Sequence, residues 1–379
     1  MIDWLKVRRV LVVRLRSIGD TVLATPSLVA LKRFLPNAEV DILLEDWVAP
    51  LLEGFEHVNH VVPIGRGSKE RLQTAWKLRR AGYDVVFNLH GGTTSTFLTR
   101  ATGARHRVGY SHYQYSFLYN HLLASSSDFW ERPVTHSAEQ QLALLGHAGV
   151  PVNDRPRSVL AVSEEAIRSV EARFANIRQP RELLEYVYES GSFRRIPETQ
   201  VSDLPANGDV LSNFALFHPA AAFATKQWSL ENFARVAEYL AARGLKRVAV
   251  ATKSESSVLR SLASASRVPI ITLDDLTLPE ITALASMAKV FVGNDSGIAH
   301  IASAVNTPTV VVFGSSNRDH WRPWTDAPNE IVFEELDCQP CAGHECAVFG
   351  EPSCILSIRP EKALAAIDRV LAETNKEGG

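Results

Sequence analysis

Val290-Phe-Val-Gly-Asn-Asp-Ser-Gly-Ile-Ala-His300, followed by an apolar stretch and then Thr309-Val-Val-Val-Phe-Gly314, reads as strand, tight turn, helix, strand. The turn carries an acid, a hydroxyl and two glycines where a parallel strand feeds a helix. In α/β domains that is where a phosphate binds, on exposed N–H groups at the positive end of the helix dipole. A second strand–turn–helix, Arg14-Leu-Arg-Ser-Ile-Gly-Asp20, stands near the N-terminus.

The same grammar extends in both directions. Apolar runs predict strands over 10–15, 40–44, 60–64 and 85–89, with another extended segment from Arg107. Helical spacing predicts helices from Thr25, over 68–81, 93–101 and 139–147. In the second half, strands are expected over 215–217, 248–251 and 269–273. Ser229 caps one helix, and Thr277-Leu-Pro-Glu280 is a capping box opening another to about Met287. Strand and helix alternating on this scale predict parallel sheets covered by helices on both faces. The expected architecture is α/β, with two doubly wound domains facing a cleft. The expected divisions are a first domain over 1–175, a linker or inserted element over 176–213, a second domain over 214–360, and a C-terminal helix with a disordered tail over 361–379. Within the join, 178–188 reads as a helix.

Bulk properties agree. A chain of 379 residues exceeds one ordinary core. With 46% hydrophobic and 22% charged residues it has a globular composition. The net charge of −2 gives no electrostatic footprint for nucleic acid. No apolar run approaches a membrane span. The start Met1-Ile-Asp-Trp-Leu-Lys lacks the pattern of a signal peptide, so the cytoplasm is the expected compartment.

Several residues read two ways. Asp20 sits where a carboxylate enters the ligand crevice of an α/β sheet and can act as a general base; it can equally stabilise a helix dipole and nothing more. Asp295 and Ser296 can cap a helix, or frame a diphosphate with Gly297. His300, one turn on, faces the same side as Ser296 and suits phosphate, a sugar hydroxyl or a partly buried position. Lys226 lies in a small-residue loop ahead of the Ser229 helix, either as a point charge for phosphate or as a solvated surface cation. Arg105 and Arg107, with Arg100, His106, Arg14 and Arg16, suggest a basic group for an anionic acceptor; a solvated charged face is the alternative. Cys338, Cys341, Cys346 and Cys354 permit a four-thiolate site, yet do not match paired zinc-finger spacings. Packing thiols or a bridge formed on oxidation fit the same residues, and no metal is assigned.

Taken together, Val13-Arg-Leu-Arg-Ser-Ile-Gly-Asp-Thr-Val-Leu-Ala-Thr-Pro26, Ala224-Thr-Lys-Gln-Trp228, Gly293-Asn-Asp-Ser-Gly-Ile-Ala-His300 and Cys338-Gln-Pro-Cys341 resemble the family-9 glycosyltransferases, the ADP-heptose:lipopolysaccharide heptosyltransferases and their relatives. The resemblance covers nearly the whole chain, in the family's order. It implies the GT-B architecture of two Rossmann-like domains and an inverting transfer without a catalytic metal or cofactor. It also implies acceptor binding by the N-terminal domain, with Arg14, Arg105 and Arg107 as the candidates, and donor binding by the C-terminal one. By motif match, Asp20 falls on the base, Lys226 on the diphosphate lysine, and Asp295, Ser296 and Gly297, with His300 behind, on the diphosphate and sugar loop. Glu255 falls on a ribose carboxylate. Ala221 and Ala222 depart from the Ser or Thr frequent there, and 175–213 is long for the family.

The implied partners are a nucleotide-sugar donor such as ADP-heptose and a lipopolysaccharide-core or related surface-glycan acceptor. Peripheral association with the inner face of the cytoplasmic membrane is compatible with such an acceptor. Two rival readings use the same architecture: a nucleotide-sugar epimerase, which needs no acceptor, and a non-catalytic nucleotide-sugar-binding protein.

Overall fold

The central apolar runs become strands buried on both faces, and the edge strands stay partly exposed. β1 (Arg9–Val13), β2 (Glu39–Glu45), β3 (His60–Ile64), β4 (Val85–Asn88), β5 (His106–Tyr110) and β6 (His121–Leu123) form one sheet in the order β3-β2-β1-β4-β5-β6. All its pairs are parallel. β7 (Tyr186–Glu189) and β8 (Ser192–Arg195) make a separate antiparallel pair. β9 (Phe214–His218), β10 (Lys246–Val250), β11 (Ile271–Leu273), β12 (Val290–Asn294), β13 (Thr309–Val312) and β14 (Asn329–Val332) form a second parallel sheet, in the order β11-β10-β9-β12-β13-β14. Parallel neighbours require crossovers, and helices supply most of them. The computed structural model describes residues 2–176, 186–189, 192–195, 210–341 and 343–377. Among these, no helix is long and apolar enough to cross a membrane.

The chain divides into two compact units, Met1–Ala161 with Asp319–Trp324, and Val162–Arg318 with Thr325–Gly379. The core of the first includes Leu11, Val13, Leu43 and Val86 on its sheet. The core of the second gathers Phe217, Trp228 and Phe233, with Ala363, Ala366, Ile367 and Val370 from the helix Pro360–Glu377. That last helix is therefore part of the second core rather than an appendage. Each fully buried Val, Leu, Ile or Phe contributes about 1.5–3 kcal/mol.

The division falls earlier than the sequence suggests. The helix Glu164–Asn176 belongs to the second unit, because polar contacts on it reach Glu280. Ser169 donates to Glu280 at 2.7 Å, and Arg173 pairs with Glu280 at 2.8 Å and with Asp275 at 3.0 Å. The other departure lies in the join. Of the helix expected over 178–188, residues 178–185 lie outside the described residues, and Tyr186–Tyr188 are strand. Residues 319–324, which lie in sequence between β13 and β14, pack in the first unit. There Trp324 stacks on His136 at 4.6 Å, its indole N–H donates to the Pro156 carbonyl at 2.8 Å, and its ring meets Leu23.

Glu280 shows how one residue serves two levels. Its carboxylate closes the capping box by accepting from the Thr277 N–H at 2.8 Å, and it also ties down Ser169 and Arg173. Burial alone would raise its pKa. The bonds from Thr277, Ser169 and Arg173 outweigh that and bring it down to about 2. Its contribution is therefore present above its ordinary value of 4.5 and is lost as pH falls through about 2. Glu280→Ala is expected to lower the unfolding free energy at neutral pH by on the order of 2 kcal/mol. Urea titrations of both proteins check this: the gap between them should close in acid, and a gap independent of pH would contradict the assignment.

Candidate active site

In each sheet the strand order reverses once, between β1 and β4 and between β9 and β12. Loops leaving the carboxyl ends of those strand pairs diverge to opposite faces, which opens a crevice there. The candidate residues Asp20, Lys226, Asp295, Ser296 and Gly297 all follow one of these strands.

In the first unit, Ser17 is the N-cap of the short helix Ile18–Val22, and its φ of 32° lies in the left-handed region that serine rarely occupies. Backbone strain of this kind costs of order 1–3 kcal/mol and marks a position held by its surroundings. The Ser17 hydroxyl donates to Asp20 Oδ2 at 2.8 Å, and Arg14 Nη2 pairs with Asp20 Oδ1. Arg14 is itself buried and also donates to the Leu89 carbonyl. The Asp20 carboxyl is thus held at both oxygens while its side chain stays 21% exposed. His90 follows β4. Burial, and then the Arg14 guanidinium, bring its imidazole down to about 4 against the opposing pull of Asp20. Burial also lowers His320, which feels both Asp20 and Arg14 and contacts Gln140 at 3.3 Å.

The basic group expected from sequence is not assembled. Arg105 and Arg107 stand at the amino end of β5, where His106 is level with Val85. Asp20 and Arg14 follow the carboxyl end of β1. Arg107 spends its donors on the Leu118 carbonyl at 2.7 Å and the Ala104 carbonyl at 2.5 Å. Arg14 belongs with Asp20, not with Arg105 and Arg107. His90 and His320 were missed from sequence. The His90-Gly91-Gly92 turn after a buried strand was a usable signal for the first. Nothing local marks His320, which comes from a distant segment.

In the second unit, Lys226 Nζ pairs with Asp295 Oδ2 at 2.8 Å, and Ser316 donates to the same oxygen at 2.5 Å. Asn294 fixes the Lys226 loop: its amide oxygen accepts from the Trp228 N–H at 3.1 Å, and its Nδ2 donates to the Pro219 carbonyl at 2.8 Å. Trp228 is fully buried and donates its indole N–H to Ile358 at 2.9 Å. Ser296 is the N-cap of the helix Gly297–Ala304 but makes no side-chain cap bond. Its hydroxyl contacts His218 Nδ1 at 3.1 Å instead. Gly293 answers a packing need, since a Cβ there would lie 2.6 Å from the Phe291 ring. Burial brings His218 down to about 4, against the raising effect of Glu255. Ser316 and His218 are further residues that the sequence reading left out.

His300 is buried on the helix that Gly297 begins. Glu255 closes a capping box, accepting from the Thr252 N–H at 3.0 Å and from its hydroxyl at 2.7 Å. Cys338, Cys341, Cys346 and Cys354 are unbridged. All four line one cavity of about 210 Å³ that Thr225 and Ser315 also border. Burial pushes the Cys354 thiol up, and the other three cysteines push it the same way. Elsewhere, the ligand atoms of Glu39, Asp41 and His60 lie within 4.8 Å of one another. Arg9 already pairs with Glu39 at 2.9 Å and with Asp41 at 3.3 Å, so its guanidinium engages both carboxylates.

Two parallel sheets with matching strand order are the GT-B architecture, which solved structures similar to this chain share. The sequence model of "Glycosyltransferase family 9 (heptosyltransferase)" matches residues 71–350, and the chain belongs to that family. It is similar to lipopolysaccharide heptosyltransferase 3 of Escherichia coli, 27% identical over 365 residues that cover 93% of this chain and 96% of the relative. Among solved structures, a family-9 glycosyltransferase of Veillonella parvula superposes with a TM-score of 0.76 at 18% identity, covering 97% of each chain. The E. coli ADP-heptose lps heptosyltransferase II superposes with a TM-score of 0.74 at 20% identity, covering 97% of this chain and 99% of its own.

His90 and His218 carry folded pKa values below the ordinary 6.5. Their neutral forms contribute stability that is present above 6.5 and lost as pH falls towards 4, because the unfolded chain then binds more protons. Each adds a slope of up to about 1.4 kcal/mol per pH unit in that window. His218→Gln should flatten the fall of the urea midpoint between about pH 6.5 and about pH 4.5. An unchanged slope would exclude His218 as a source.

Proposed function

We propose that this chain transfers a heptosyl residue from ADP-heptose to a lipopolysaccharide-core or related surface-glycan acceptor, with inversion and with no metal at the reacting phosphates. The observation that carries this reading is the Lys226 ammonium at the crevice of the second sheet, next to a helix whose N-cap serine turns away from its own N–H groups. A helix start with free amides and a lysine suits the diphosphate of a nucleotide sugar. Family membership and the activities of the relatives support heptose, ADP and the acceptor class. That acceptor class in turn supports action in the cytoplasm at the inner face of the membrane.

Inversion needs the acceptor hydroxyl to attack the anomeric carbon opposite the leaving diphosphate. The new C–O bond forms as the bond to the diphosphate breaks, and the hydroxyl proton goes to a carboxylate. Asp20 takes that proton. Arg14 and Ser17 hold its two oxygens, so it does not reorganise during the step. The transition state has oxocarbenium character, as in glycoside hydrolysis. Charge grows on the departing diphosphate, where Lys226 and the N–H groups from Gly297 onward stabilise it. Asp295 and Ser316 aim the ammonium rather than touch phosphate, since a carboxylate against a diphosphate is repulsive. The family resemblance assigns Ser296 and His300 to the diphosphate and sugar and Glu255 to the ribose. Of the acceptor arginines, Arg14 acts through Asp20, while Arg107 holds its own loop.

Asp20→Asn is expected to lower turnover by about 10²–10⁴-fold and to leave ADP affinity within about twofold. An ADP-release assay with calorimetric ADP binding checks both, and undiminished turnover would remove the base assignment. Lys226→Ala should weaken ADP binding by about tenfold or more and lower turnover as well. Unaltered affinity would count against the phosphate role.

A further inference from the structure

We propose that His218 is a positioning residue of the donor site: it draws the Ser296 hydroxyl off the start of the helix Gly297–Ala304, so that the N–H groups there stay free for the diphosphate. This rests on the function proposed above, because it presumes an anion at that helix start.

A serine at an N-cap ordinarily accepts a bond from the N–H two or three residues on. Two other N-caps of the second unit do so. Ser229 accepts from the Asn232 N–H at 3.2 Å, and Thr277 accepts from the Glu280 N–H at 3.4 Å. Ser296 has the extended backbone of an N-cap, with φ of −149° and ψ of 166°, yet makes no such bond. Its hydroxyl lies 3.1 Å from His218 Nδ1 instead. A cap bond and a bound oxyanion draw on the same few N–H groups, so a self-capped helix would hold a diphosphate less well. Some other contact has to compete with the cap bond. Among the described residues, His218 is the side chain that the Ser296 hydroxyl meets.

The sheet places His218 for this. It ends β9, level with Gly293 of β12, and Ser296 comes shortly after Gly293 in the chain. A Cβ at Gly293 would lie 3.0 Å from the His218 carbonyl oxygen, so the two strand ends run close together. The turn between β12 and the helix is tied to the end of β9 and the loop beyond it at each of its residues. Asn294 holds Pro219 and Trp228, Asp295 holds Lys226, and Ser296 meets His218. The first two ties fix the loop and aim the ammonium; the third decides whether the helix start is capped. Burial keeps His218 neutral near pH 7. A neutral ring with its proton on Nε2 offers Nδ1 as an acceptor to the Ser296 O–H. His218 thus acts through the serine.

The test is calorimetric ADP binding to the full chain and its variants, with urea midpoints recorded alongside. His218→Leu removes the acceptor and should weaken ADP binding by about fivefold. His218→Asn, whose amide oxygen falls near the place of Nδ1, should stay within about twofold of wild type. In a Ser296→Ala background no hydroxyl can cap the helix, and His218→Leu should there shift ADP affinity by less than about twofold. That non-additivity separates positioning from a general loss of structure, which would weaken ADP binding in both backgrounds. Hydrogen exchange on wild type needs no variant: the amides of 297–299 should gain protection when ADP binds. Equal ADP affinity in wild type and His218→Leu, or an equal loss with and without the Ser296 hydroxyl, would overturn the role of His218. Amides of 297–299 as protected without ADP as with it would overturn it too. Wild type that binds no ADP at all would instead overturn the proposed function.

Discussion

A parallel strand can be reached only by a crossover, and crossovers on a twisted sheet keep one hand. With the first strand of each parallel sheet at the centre, the chain winds outward to one side and must return to start the other. Adjacent crossovers then leave on opposite faces at one position only, beside β1 and β4 in the first sheet and beside β9 and β12 in the second. The polar residues that matter lie at these two openings. Asp20 and His90 follow β1 and β4, whereas His218, Lys226 and Asp295 follow β9 and β12. The buried apolar runs that look like routine core are what hold these openings in place.

At each opening a charge is kept by pairing it. Arg14 is desolvated, and it is tolerable there because Asp20 and a backbone carbonyl accept its protons. Lys226 is held by Asp295, which Ser316 fixes in turn. Pairs of this kind add little to stability once desolvation is counted, but they set orientation. The neighbouring histidines are kept neutral by burial, so they add no competing positive charge near neutral pH. Strain at Ser17 belongs to the same arrangement, since it turns the hydroxyl onto Asp20.

Much of the fold was legible because its signals are local. The helices Ser68–Ala81, Thr93–Ala101 and Leu278–Met287 coincide with the predicted ranges, since their start signals and apolar spacing lie within the segment itself. Strand ends slipped by one or two residues where a buried run continued past the end of the strand, as at Leu15 and Leu89. The helix Glu164–Asn176 was assigned to the wrong side of the domain break because its partner, Glu280, is more than a hundred residues away. The basic group failed for a related reason: Arg105 and Arg107 stand at the amino end of β5, whereas Arg14 follows the carboxyl end of β1, and parallel strands send those ends to opposite edges of the sheet.

The strand–helix alternation, the two turns that follow central strands, and the residue types in them, Asp20, Lys226 and Asp295, are legible along the chain. These follow from periodicity and turn chemistry, which act over a few residues. What those residues touch comes from the fold: Arg14 on Asp20, Ser316 on the carboxylate that holds Lys226, Ser296 turned to His218, and four cysteines lining one cavity with Thr225 and Ser315. Such contacts join segments far apart in the chain, and their distances are set by the sheet's strand order, which no local pattern encodes.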